Sequence, residues 1–153
     1  MNLFNNYIMS VPFEVDEINQ AYKGDMIKKF IHDKIENNSK GYNTSFDDPV
    51  YTNTIKNKFL KVIEDKFWVS DSLSEIKTWI YVQNNEYYSS VWHNHVTSST
   101  INAVYYINPP ETGGELELMM NAQVYKFKPR INYLYLFPYW MEHRPAVQES
   151  SDW

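Results

Sequence analysis

From residue 78 onward the hydrophobic pattern of this chain switches to a period of two, which commits its back half to β-structure. Side chains alternate between the two faces of a strand, so polar and apolar residues interleave wherever only one face is buried. The clearest run is 114–120, GELELMM, where Glu115 and Glu117 interleave with Leu116 and Leu118. The same reading marks strands over 78–83, 87–92, 100–108, 124–128, 131–137 and 143–148. Pro109, Pro110, Gly113 and Gly114 make a turn between two of them. Seven short strands with short connections predict a sandwich or barrel.

The front half is helical by pattern. Over 14–36, Val15, Ile18, Tyr22, Ile27, Phe30, Ile31 and Ile35 fall at roughly helical spacing. Acidic Glu14, Asp16 and Glu17 open that segment and Lys28, Lys29 and Lys34 come later, as the helix dipole favours. Residues 37–47 read as a loop by composition. A second helix follows, capped by Asp48 with Pro49 in its first turn. The expected organisation is one domain over 1–153. Residues 1–70 form a helical support and 78–148 the β core.

Composition narrows the chemistry. The chain has 153 residues, 43% of them hydrophobic, enough for a buried core. It has no cysteine, which removes disulfides, thiolate ligands and thiol nucleophiles. Net charge is −5 with no basic block, so an extended nucleic acid is not the expected partner. The N-terminal stretch MNLFNNYIMS is not a signal peptide by pattern, and no apolar run reaches membrane-spanning length. A cytoplasmic protein is expected.

Three of the four histidines lie in the β-rich half. His93 and His95 form an H-x-H pair in VWHNH, and His143 ends FPYWMEH. An H-x-H pair on extended chain puts both imidazoles on one face, and a distant third histidine can close a facial metal site. His32 lies beside Ile31 in the first helix and reads as structural or surface.

The stretch 79–148 resembles the 2-oxoglutarate- and Fe(II)-dependent oxygenases, and among them a group carrying H-x-H. Three segments carry the resemblance, in the family's order: WHNHVTSSTINAVYYINPP after the strand WIYVQNN, then GGELEL, then LFPYWMEHRPAV. The resemblance implies mainly β structure with N-terminal helices around a double-stranded β-helix (jelly-roll) core. It implies His93, His95 and His143 as Fe(II) ligands, with 2-oxoglutarate, dioxygen and an unidentified substrate as partners. The family's reaction is hydroxylation coupled to oxidative decarboxylation of 2-oxoglutarate. Asn94 and Glu142 would point away from the metal.

Two features depart from the family. The usual ligand set is two histidines and a carboxylate, and here the carboxylate position holds His95. Either the site is a neutral three-histidine centre, or two histidines bind with a carboxylate from elsewhere. The family also anchors the far carboxylate of 2-oxoglutarate with an Arg or Lys about ten residues past the distal histidine. The only arginines are Arg130 and Arg144. Arg144 adjoins a ligand and should face away, Arg130 precedes a strand, and Lys126 and Lys128 share one strand face. None sits where the family's anchor does, so a nonstandard anchor, with Arg130 the candidate, is one expectation. A last core strand beyond Trp153, with its own basic residue, is the other expectation. Tyr81 and Tyr106, on the strands before and after H-x-H, are candidate co-substrate contacts. Two alternatives stay open: a cupin-like metalloprotein, and a jelly-roll binding or structural protein with a relic site. The first is weakened because VTSST, after H-x-H, lacks the usual cupin Glu.

Overall fold

The computed structural model describes residues 8–14, 42–45, 49–67, 76, 79–86, 88–97 and 101–151. Among them the elements run β1 (Met9–Pro12), β2 (Tyr42–Ser45), α1 (Pro49–Phe67), β3 (Trp79–Val82), β4 (Ile101–Tyr105), β5 (Leu116–Met120), β6 (Gln123–Phe127), β7 (Tyr133–Pro138) and β8 (Glu142–Pro145). The chain divides into two compact units, Met1–Tyr42 with Val82–Trp153, and Asn43–Tyr81. The smaller unit holds α1. Strands β2 and β3 pair with each other in a two-stranded sheet.

The larger unit carries two three-stranded antiparallel sheets, ordered β1-β7-β4 and β6-β5-β8. Tyr135 and Phe137 of β7 pack with Leu116 and Leu118 of β5 and with Met141, all buried. The two sheets therefore share one core, in the manner of a β-sandwich. Burial of the Tyr135 phenol is made tolerable by its hydroxyl, which donates to the Lys128 carbonyl at 2.6 Å. The fold is mainly β, and among the described residues no helix is long and apolar enough to cross a membrane.

The period-two runs became strands with small shifts at their ends, except one. Residues 88–92 form no strand, although 87–92 was expected to. The cause is Pro145. His93 and His143 exchange both backbone hydrogen bonds, so the next bonded pair of an antiparallel ladder would be Val91 with Pro145. Proline has no N–H to give, and the ladder stops after one bridge. Tyr42–Ser45 forms β2 where a loop was expected, because pairing with β3 supplies its backbone partners. Strand β1, only MSVP, carries no periodic signal, and its Pro12 fits the edge position it takes. The helix expected over 14–36, and Asp48, lie outside the described residues save for Glu14. The second helix is α1, and its Ile63 is fully buried.

β5 and β6 are joined by a two-residue turn, since Met120 stands opposite Gln123. Both turn residues take positive φ, 52° at Asn121 and 60° at Ala122. That is the primed hairpin geometry whose second position favours glycine. Alanine there costs about 1 kcal/mol in left-handed backbone, part of which Gly returns as unfolded-state entropy. Ala122→Gly should therefore stabilise the protein by roughly 0.5 kcal/mol. A lower melting temperature for this variant would contradict the turn assignment.

Candidate metal centre

Backbone pairing builds the histidine cluster. His93 N–H donates to the His143 carbonyl at 3.1 Å, and His143 N–H donates back to His93 at 2.9 Å. Residues paired this way point their side chains to the same side of a sheet. His95 is two residues on, and its N–H donates to the Tyr139 carbonyl at 3.0 Å, which brings its ring to the same place. The ring centroids lie 4.2 Å apart for His93–His143, 5.1 Å for His95–His143 and 5.3 Å for His93–His95. Across β8, His143 stands opposite Leu118, so it shares the core face, and Phe137 packs edge-on at 4.8 Å.

Two of the rings are held by backbone carbonyls. His93 Nδ1 lies 2.9 Å from the Val91 carbonyl, and His143 Nδ1 lies 3.1 Å from the Met141 carbonyl. A carbonyl oxygen only accepts, so Nδ1 is the donor in each contact, which leaves Nε2 as the atom a metal would take. A backbone carbonyl on the far nitrogen is the common second contact of a metal-bound histidine.

One potential ligand atom from each histidine lies within 4.8 Å of the others. A metal 2.0–2.1 Å from each nitrogen needs them about 3.0–3.4 Å apart. At the widest spacing this bound allows, the rings would close by about 1.4–1.8 Å around a metal. The donor set fits: three imidazoles suit zinc, copper, iron or nickel. These three residues could hold a metal ion. Asn94 is exposed, its Oδ1 accepting from Val96 N–H at 3.4 Å, and Glu142 is exposed beside buried His143.

Burial pushes the His143 imidazolium down to a pKa of about 4, helped by the neighbouring His93 and His95 and opposed by the Met141 carbonyl. His95 is lowered too, by burial first and then by His93. Both rings are thus ready to bind metal without displacing a proton at neutral pH. The same shift makes stability depend on pH. As pH falls below 6.5 the unfolded chain takes up the His143 proton before the folded one does. Metal-free protein should lose on the order of 2–3 kcal/mol between pH 6.5 and 4 from this residue, then level off. Urea unfolding in chelator across that range tests it, and a His143→Gln variant should show a flatter profile.

Of the other residues singled out from the sequence, Tyr106 and Arg130 have partners of their own in the larger unit. Tyr106 lies against the sandwich core, its ring 6.0 Å from Tyr135, and its hydroxyl reaches the Gly114 carbonyl at 3.4 Å. Burial pushes its pKa far up, so it is a neutral phenol. Tyr81 is on β3, half-buried, at the edge of the smaller unit. Arg130 is exposed and stacks its guanidinium 3.7 Å over the Tyr133 ring. Arg144 and Lys126 both bond Glu117, at 2.7 and 2.8 Å, on the sheet face opposite His143. These cations are committed away from the histidines, so the far carboxylate of 2-oxoglutarate finds no fit with them. Sequence reasoning missed the Val91 and Met141 carbonyls, the Phe137 wall and the Glu117 pairings. None of these left a signal in the sequence, because each depends on which strands pair.

No family model matches the chain, and no curated protein matches it significantly.

Proposed function

We propose that the protein is a non-haem Fe(II) oxygenase of the 2-oxoglutarate-dependent type on a double-stranded β-helix. The observation that carries this reading is the convergence of His93, His95 and His143, with Nδ1 of two rings engaged by carbonyls. The interleaved pairing of β4 with β7 and of β5 with β8, on two facing sheets, supports a jelly roll. His93, His95 and His143 would hold the iron, and iron bound there would supply dioxygen activation for C–H hydroxylation. The chain's own part is to present three imidazoles, to fix His93 and His143 by backbone bonds, and to keep water from His143 with Phe137.

The engagement of Arg144, Lys126 and Arg130 elsewhere favours one second reading, a cupin-like metalloprotein or relic site that binds metal without 2-oxoglutarate. An anaerobic titration with Fe(II) and then 2-oxoglutarate separates the two. The oxygenase reading expects a visible charge-transfer band, and succinate release in air. Iron binding with neither signal gives the second reading the lead.

A further inference from the structure

The H-x-H segment is docked on β8 by very little backbone. Pro145 ends the ladder after the His93–His143 bridge, and His95 bonds the turn at Tyr139 rather than β8 itself. Side chains do the remaining work, on the face away from the rings. Ser90 Oγ donates to the Pro145 carbonyl at 2.9 Å. Arg144 does more. Its Nε donates to Glu117 Oε2 at 2.7 Å, its guanidinium carbon sits 4.5 Å over the Trp92 ring, and Nη1 lies 3.5 Å from the Ser90 carbonyl.

Glu117 is the fixed point of this arrangement. It is 4% exposed in the middle of its sheet, and the register sets Lys126, Glu117 and Arg144 in one row across β6, β5 and β8. Lys126 holds Oε1 at 2.8 Å, which leaves Oε2 for Arg144. Burial alone would raise the Glu117 carboxyl, but these two cations overcome it and hold it below its ordinary value. A charge-assisted pair to an anchored carboxylate is short and directional. The guanidinium plane is thereby set, and Trp92, the residue before His93, rests on that plane.

We propose that Arg144 is the positioning residue of the histidine cluster: braced on Glu117, its guanidinium holds Trp92 and Ser90 and so sets where His93 stands against His143. It touches no metal and acts through the segment it holds. The inference rests on the metal reading of the three histidines and goes beyond it by assigning what keeps the ligands in register.

Co(II) is the probe, because its visible absorption reports ligand geometry without turnover. The full chain is titrated with Co(II) alone, and affinity is measured by chelator competition. The variants are Arg144→Gln, Arg144→Lys and Trp92→Leu. Outer-sphere changes at metal sites typically lower affinity by about 10–100-fold. Arg144→Gln should fall in that range. Arg144→Lys keeps the charge for Glu117 but has no plane for Trp92, so it should recover the melting temperature while Co(II) affinity stays low and the band stays altered. Trp92→Leu should weaken Co(II) binding with the Glu117 pair intact, and it decides the matter if Arg144→Gln does not fold. Wild-type affinity and spectrum in folded Arg144→Lys and Trp92→Leu would overturn the proposal and leave the metal site standing. A wild-type protein that binds no Co(II) would instead remove the metal reading, and this inference with it.

Discussion

His143→Ala should abolish specific metal binding, with affinity falling by more than about 100-fold, since changes one shell further out already cost 10–100-fold. His143 is the candidate ligand with least freedom. It is 7% exposed, bonded through its backbone to His93, bonded through Nδ1 to Met141, and walled by Phe137. Little of its affinity is therefore lost to ordering the ring when metal arrives. With it gone, His93 and His95 remain a two-nitrogen pair on an exposed segment. The backbone bridge survives the substitution, so the variant should fold, and circular dichroism and unfolding would confirm that. Asn94→Ala is the matched control, because among the described residues that side chain bonds the Val96 N–H in its own turn. It should bind Co(II) or Fe(II) like the wild type. A folded His143→Ala with undiminished affinity would sink the ligand assignment.

Much of this site could be read before any coordinates, and the reason is local. H-x-H on extended chain needs no tertiary knowledge to place two rings on one side, and FPYWMEH marked the returning strand. What periodicity could not reveal was non-local. It marked 87–92 as a strand, because nothing within that segment discloses that Pro145 will stand across from Val91. It put Glu117 on an outward face, which is where β5 places it, but could not foresee that Lys126 and Arg144 would cover it. Tyr81 and Tyr106 are candidates because their strands flank H-x-H, and Arg130 because it is one of two arginines. Strand order decides nearness in space, and it carried Tyr106 to the Gly114 turn and Arg130 to Tyr133. The short strands β1 and β2 take their structure from partners and hold too few residues to show a period.

Phe137→Ala should be the most destabilising single change in the sandwich and should also alter the chemistry of the site. Phe137 is 2% exposed and packs with Leu116, Leu118, Tyr135 and Met141. Removing a buried phenyl ring costs about 3–5 kcal/mol, as lost transfer energy plus a cavity the neighbours fill only in part. In a chain of this size that corresponds to a melting temperature lower by roughly 10 °C. The second effect follows from where the ring points. It stands edge-on to His143 at 4.8 Å, and burial is the largest cause of the depressed His143 pKa. Opening that wall to water should return the pKa from about 4 toward 6.5, measurable by NMR titration of the metal-free protein. The pH-dependent loss of stability should shrink in step, because the folded and unfolded pKa values then converge. Phe137→Leu restores most of the apolar volume and should show both effects at reduced size. If Phe137→Ala loses stability while His143 still titrates near 4, the desolvation comes from the neighbouring strands and not from this ring. If stability does not change at all, the two sheets do not share the core through Phe137.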